Sequence, residues 1–359
     1  MNTALFSAYT LGRTQLSNRI VMAPVTRNRS PGNVPGQPVA RCYAQRAEPG
    51  LIVTGGTSPS RNGLGYARIP GLFNDAHVKG WRVVTDEVHA ASGRIFVQLM
   101  HIGRASATAN LPPGARVVAP FAVALSQPVW VDGPGNQPAS LPVTMTEADI
   151  EAAIEEHAQS AELAMQADFD GVELHGASGY LVDQFLNTAS NVRTDRWGGS
   201  AENRARFAVE VARRCAARVG GDRVGIRVSP YGVFNDMKPD AEMDALYAHL
   251  AKELSALGLA YVHVVDHSSI GAPEAKPAIK EVLRSTLQVT LILSGGSDNA
   301  RAEADLQAGR ADLVAFGRPF ISNPQLPTLL RQDRPLAPPD FATFYAPGEK
   351  GYTGYPVDG

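Results

Sequence analysis

Gly171-Val-Glu-Leu-His-Gly-Ala-Ser-Gly-Tyr180 is the stretch from which the rest of the chain is best read. Gly171 to His175 is a short apolar run of strand type that ends in a histidine, and a glycine-punctuated turn then leads to a tyrosine. In a repeating α/β protein, strand-end residues project into one working face. His175, Ser178 and Tyr180 can therefore converge on one bound molecule. Two donors and a weak acid in so short a span suit polarising a carbonyl and delivering a proton. The structural alternative is a satisfied buried histidine and a core tyrosine, and the surroundings of the segment decide between them.

Outward from this stretch, short β-rich apolar runs recur with helical patterns between them. They are Ile20–Pro24, Leu51–Thr54, Arg94–Leu99, Gly171–His175, Val224–Val228, Tyr261–Val265, Thr290–Leu293 and Asp312–Phe316. Near-continuous apolar character marks strands buried on both faces, as in parallel sheets covered by helices. The intervening periodicity predicts helices over Asp75–Ser92, Glu147–Ala167, Ala201–Val219, Ala241–Leu257, Lys276–Arg284 and Asn299–Ala308. Thr146 with Asp149 forms a capping-box start to one of them, and Ser200 is a good N-cap for another. The expected class is α/β: a (β/α)8 TIM barrel, one domain over 1–359, with its catalytic groups at the strand C-termini. A doubly wound sheet would show a Gly-x-Gly-x-x-Gly turn after its first strand, and none is present. After the third strand, residues 103–143 are Pro- and Gly-rich with almost no helical period, which predicts a lid or active-site excursion. The tail over 337–359 is rich in Pro, Gly and aromatics and is expected to lie across a surface.

Composition narrows the partners. A formal charge of −2 over 359 residues, with Lys and Arg scattered, leaves no electrostatic footprint for nucleic acid. Cys42 and Cys215 lie far apart without metal-ligand spacing, so free thiols in a reducing compartment and no metal are expected. The first ten residues show no basic region followed by an apolar run, and no apolar stretch is long enough for a bilayer. A soluble, cytoplasmic protein follows. No segment demands a partner helix, leaving monomer or homodimer open.

The other strand ends describe a ligand. The first finishes Met22-Ala-Pro-Val-Thr-Arg27, where Ala23, Pro24 and Val25 let a planar ring approach the backbone and Thr26 offers a hydroxyl; ordinary strand-exit punctuation by Pro24 is the alternative. Paired glycines at Thr54-Gly-Gly-Thr57 leave backbone amides accessible, Gly56 among them. Gln98 carries both donor and acceptor for the edge of a flavin-type ring, while His101 and Arg104 place the following loop. Arg227 is a cation inside an apolar run, so it must be paired or useful: either a bound electron-rich ring or an ion pair with Glu173 answers that. Ser294-Gly-Gly-Ser297 and Phe316-Gly-Arg-Pro319 occupy the positions of the barrel phosphate cradle, with Gly295, Gly296 and Gly317 supplying amides and Arg318 a charge-assisted donor. A ring-plus-phosphate ligand results. FMN fits it best, although the cradle alone would suit any phosphorylated substrate.

At this point the motifs, in order and over essentially the whole chain, resemble the old yellow enzyme family of FMN-dependent ene-reductases in its Thr-containing branch. The matching stretches are Met22–Arg27, Gly50–Thr57, Gln98–Arg104, Gly179–Leu186, Asn191–Arg204, Ala315–Arg318 and Gly351–Pro356. The resemblance implies FMN reduced by NADPH or NADH, then ping-pong hydride transfer from N5 to the β-carbon of an electron-poor alkene. It implies that Thr26 bonds the flavin O4 and that Gln98 and Arg227 hold the pyrimidine edge. His175 would bind the substrate's carbonyl or nitro oxygen, Tyr180 would protonate the α-carbon, and Tyr66 and Tyr345 would line the substrate pocket.

Three positions depart from that family. Ser178 stands where His or Asn is normal, Met100 replaces an aromatic that often lines the pocket, and Gly56 sits where Ala is usual. The shorter hydroxyl at 178 predicts a bond to substrate oxygen that is lost or water-mediated; Met100 gives a softer, more adaptable wall, and Gly56 is either harmless or slightly roomier. The rivals are an FMN barrel dehydrogenase or oxidase of another class, a non-flavin barrel lyase or isomerase acting on a phosphorylated substrate, and a binding-only flavoprotein.

Overall fold

Eight strands that bury nearly every residue close into a parallel barrel, because no strand edge is then left unpaired. They are β1 (Ile20–Met22), β2 (Leu51–Val53), β3 (Ile95–Leu99), β4 (Gly171–Gly176), β5 (Val224–Val228), β6 (Tyr261–Val265), β7 (Thr290–Ser294) and β8 (Leu313–Phe316). Each pairs with the next, and β8 returns to β1 through Val314↔Ile20 and Phe316↔Met22. All eight lie within two residues of the bounds expected from sequence. This computed structural model describes residues 4–268, 271–272 and 275–357, so both ends of the expected 1–359 domain lie outside it.

The six expected helices form over Asp75–Ala90, Glu147–Gln166, Ala201–Val219, Met243–Ala256, Pro277–Thr286 and Asn299–Gln307. Thr146 Oγ1 accepts from the Asp149 N–H at 3.2 Å while Asp149 accepts from the Thr146 N–H at 2.9 Å, closing the capping box. Among the described residues, helices also form over Gln37–Ala44, Leu181–Leu186, Arg318–Ser322 and Leu326–Arg331, where the sequence shows no clear helical period.

The barrel interior is layered. Its lower end is plugged by an N-terminal hairpin, Tyr9–Leu11 with Thr14–Leu16, whose Leu11 and Leu16 pack with Leu51, Val53, Phe96, Ile292 and Leu313. Each such leucine contributes about 1.5–3 kcal/mol by leaving water. Gly225 is glycine for a packing reason: a Cβ there would come 2.2 Å from the Tyr261 ring, which reaches over β5 to Glu173 on β4. Above this ring the lining turns polar.

Residues 103–143 are more ordered than their composition suggests. They carry an antiparallel hairpin, Pro128–Val131 with Gly135–Pro138, and Val118–Ala119 pairs with Val143–Thr144. Val129 and Val131 alternate inward onto Leu64, Ile69, Ile102 and Ala105. Arg104 anchors the excursion by donating to Val123 O and Asn235 O.

The tail lies across the mouth and is strapped there by buried arginines. Arg27 donates to Phe344 O and Gly351 O, and Arg29 donates to Thr343 O, Phe344 O, Gly348 O and Lys350 O. Both guanidinium groups stack on Tyr352, at 5.5 and 4.8 Å from its centroid.

Candidate active site

Strand register builds the floor of the mouth. His175 lies opposite Arg227, and Arg227 opposite His263, across three neighbouring strands. One layer below, Glu173 is fully buried and accepts from Gln98 Nε2 at 2.7 Å, Tyr261 Oη at 3.1 Å and His263 Nδ1 at 2.9 Å. Burial pushes this carboxyl up, yet His263, Arg227 and Gln98 together outweigh it and hold Glu173 below the usual carboxylate range. The ion pair between Arg227 and Glu173 left open by the sequence does not form: no carboxylate lies within salt-bridge distance of Arg227 among the described residues. Instead its Nε is a buried donor without a partner among them. Burial lowers the guanidinium pKa and the field of Glu173 opposes that. A buried cation with an open donor fits an electron-rich ring edge.

The other ring-holding residues are similarly prepared. Thr26 Oγ1 accepts the Gly56 N–H at 3.1 Å, which leaves the threonine hydroxyl proton free to donate outward. The Ala23 N–H bonds Phe316 O, bringing the ends of β1 and β8 together, and a Cβ on Gly317 would meet only Ala23 and Val25 at 3.8 and 3.9 Å. Pro24 follows directly on this junction. Gly295 and Gly296 turn with φ of 141° and 69°, conformations that need glycine. Arg318 opens the short helix just after Gly317. The helix starting at Asn299 has its first turn already capped by Asp298, which accepts from Arg301 N–H at 2.8 Å. Loop amides and Arg318, not that helix end, are the groups suited to a phosphate. This donor set fits FMN. Among the described residues no cluster of His, Cys, Asp and Glu is arranged for a metal ion.

His175 and Tyr180 come together as the sequence implied, their rings edge to face at 4.8 Å. The Ala177 N–H donates to His175 Nδ1 at 3.3 Å, so Nε2 carries the proton. Burial, then Arg227, holds His175 well below the usual histidine range, and it is a neutral donor. The Tyr180 hydroxyl donates to Tyr66 Oη at 3.4 Å, and burial followed by Tyr66 lifts its pKa well above 10. Tyr180 is thus an acid that keeps its proton.

Three expectations shift. Tyr345 is 60 % exposed and reaches the site only at its rim, where Arg68 holds its carbonyl. Met100 is 1 % exposed and packs with Leu64, Ile69 and Ile102, so it is held by its neighbours and not left as an adaptable wall. Gly56 adds no room, because a Cβ there would sit 2.2 Å from Met100 Cε. The methionine methyl fills the space of the absent side chain, so these two departures form a single packing unit.

Ser178 sits in the left-handed region, φ 58°, with its hydroxyl against His267 just beyond β6. His267 was missed, as were the Glu173 network and Asp183, which accepts the Gly179 N–H at 2.8 Å and the Ser229 hydroxyl at 3.4 Å. The strand-end rule applied to Tyr261–Val265 would have reached His267. Glu173 is marked by its charge inside an apolar run, but its partners on other strands are not, and nothing in a single sequence marks Asp183.

Residues 4–337 match the NADH:flavin oxidoreductase / NADH oxidase family. The chain is 42 % identical over 365 residues to the chanoclavine-I aldehyde reductase of Penicillium roqueforti, covering 98 % of this chain and 96 % of that one. It is 38 % identical over 351 residues to a Leishmania infantum protein named "Probable flavin mononucleotide-dependent alkene reductase", covering 96 % and 95 %. A solved structure of morphinone reductase in complex with tetrahydroNAD superposes with a TM-score of 0.93 at 41 % identity, over 98 % of this chain and 97 % of that one.

Proposed function

The chain belongs to the NADH:flavin oxidoreductase / NADH oxidase family, among the old yellow enzyme homologues, and we propose that it is an FMN-dependent reductase of α,β-unsaturated carbonyl compounds and nitroalkenes, using NADPH or NADH. When bound, FMN would supply two-electron hydride chemistry between the nicotinamide and the alkene. Thr26, Gln98 and Arg227 would hold its ring, with Ala23, Pro24, Val25 and Gly56 giving close backbone approach. Gly295, Gly296, Gly317 and Arg318 would hold its phosphate.

The chain's own residues then act on the substrate. His175 Nε2–H and the Ser178 hydroxyl bind the carbonyl or nitro oxygen, drawing charge from the double bond. Tyr180 gives its proton to the α-carbon and Tyr66 stands behind it. The observation that carries this reading is the His175–Tyr180 pair: one neutral donor and one acid that burial keeps protonated, in contact at the barrel mouth. An oxidase or dehydrogenase would need a base where this site holds an acid.

Anaerobic titration of the purified protein with NADPH and with NADH, then with 2-cyclohexenone and a nitroalkene, tests it. Bleaching of the flavin by a nicotinamide and its reoxidation by the alkene are expected. A colourless protein, or a reduced flavin that neither alkene reoxidises, would overturn the assignment.

A further inference from the structure

The hydroxyl of Ser178 is held in place from two sides. Its N–H donates to Ser229 Oγ at 2.9 Å, and Asn235 Nδ2 donates to its carbonyl at 2.8 Å. These bonds fix the turn so that Ser178 Oγ lies 3.5 Å from Nε2 of His267. The imidazole packs against Phe234 with ring centres 4.6 Å apart. Its Nδ1 is buried and has no partner among the described residues. An imidazole with one nitrogen unused and the other on a mouth hydroxyl is not explained by packing.

Resting on the reductase reading of this site, we propose that His267 is a positioning residue for the substrate oxygen: its Nε2–H donates to Ser178 Oγ and leaves the serine proton to point at that oxygen beside His175. The direction follows from proton counting. A hydroxyl has one proton and two acceptor sites. Were Nε2 bare, Ser178 would donate to it and have nothing left for the substrate. A buried N–H without an acceptor is also rarer than a buried lone pair without a donor, which places the single proton on Nε2. Burial, then Arg227, lowers His267 to about 4, so it donates as a neutral ring. At 3.5 Å the contact is long, as catalytic hydrogen bonds often are before the ligand is bound. Charge developing on the substrate oxygen pulls on the Ser178 proton and tightens the His267 bond in turn. His267 thereby makes a short serine an effective second donor. Protonation of carbon remains with Tyr180.

The probe is 4-nitrophenolate, a planar oxyanion resembling an enolate, titrated by its own absorbance into the oxidised holoenzyme without nicotinamide. His267→Phe, which keeps the packing on Phe234, is expected to weaken binding about tenfold, the worth of one hydrogen bond. Ser178→Ala should do the same, and the double variant should bind no more weakly than Ser178→Ala, since His267 acts only through the serine. His267→Gln, whose amide nitrogen replaces Nε2, should recover most of the affinity. Flavin content and melting temperature close to those of the parent exclude a folding effect; should the Phe variant not fold, His267→Ala takes its place. Wild-type affinity in His267→Phe or His267→Ala, or losses that multiply to about a hundredfold in the double variant, would overturn the proposal. Failure of the unmutated protein to hold flavin or bind the probe would overturn the reductase reading instead.

Discussion

Removing one oxygen atom from Tyr180 separates the two halves of the catalytic cycle. In Tyr180→Phe the ring still meets His175 edge to face, since that contact at 4.8 Å involves no hydroxyl. The hydrogen bond lost is the long one to Tyr66 Oη, worth about 0.5–1.5 kcal/mol at most. Fold and flavin binding are therefore expected to survive. Reduction of the flavin by nicotinamide requires no proton on carbon and should keep its rate. Reoxidation by 2-cyclohexenone does require one, and loss of a positioned acid slows such steps by about 100- to 10,000-fold, or about 2.7–5.4 kcal/mol. Tyr66 decides where in that range the variant falls. Its hydroxyl is 3.4 Å from the missing one and also keeps its proton, burial raising its pKa, so it can serve as a more distant donor. A loss near 100-fold is expected for Tyr180→Phe, and one well beyond it for Tyr180→Phe with Tyr66→Phe. Anaerobic stopped-flow of each half-reaction measures both. Equal slowing of the two halves, or undiminished reoxidation by cyclohexenone, would refute the assignment of Tyr180 as the acid.

Three other perturbations follow from the same geometry. Arg227→Met relieves a buried cation whose Nε has no partner, so the apoprotein should fold normally; FMN affinity, read by flavin fluorescence quenching, should fall about 10- to 150-fold for one lost charge-assisted hydrogen bond. Burial lifts the Asp183 carboxyl to about 7, above its unfolded value near ~3.9, so its penalty is absent below about pH 4 and grows as pH rises to about 7. In urea unfolding, Asp183→Asn should accordingly gain on the parent by up to about 4 kcal/mol more at pH 8 than at pH 4; the same difference at both pH values would contradict this. Arg29→Ala strands the carbonyls of residues 27, 343, 348 and 350, while Phe344 O keeps its bond from Arg27, and should cost at least about 3 kcal/mol and expose the tail to limited proteolysis.

What the sequence made legible, and what it hid, divides along a physical line. The strands were legible because a strand buried on both faces must be apolar throughout, and Val224–Val228 and Tyr261–Val265 end where the structure ends them. The helix Gln37–Ala44 was not: it follows a glycine that makes no side-chain cap and carries proline in its first turn. Leu181–Leu186 was hidden for the opposite reason, being buried on every side and so lacking a polar face to give it a period. The site shows the same division. His175, Gln98 and Arg227 are polar residues near the ends of apolar runs, and each strand reveals its own. The partners of Glu173 and the meeting of Ser178 with His267 depend on how strands far apart in sequence lie beside one another. Arg27 and Arg29 are quieter still. They bind backbone carbonyls, which every residue possesses, so no complementary charge exists for a reader to find. The same argument explains Ser178. Taken alone it is a lost donor, and the imidazole that restores it arrives from another strand at 3.5 Å. Departures from a family pattern are therefore best judged in space, as Met100 filling the place left by Gly56 also shows.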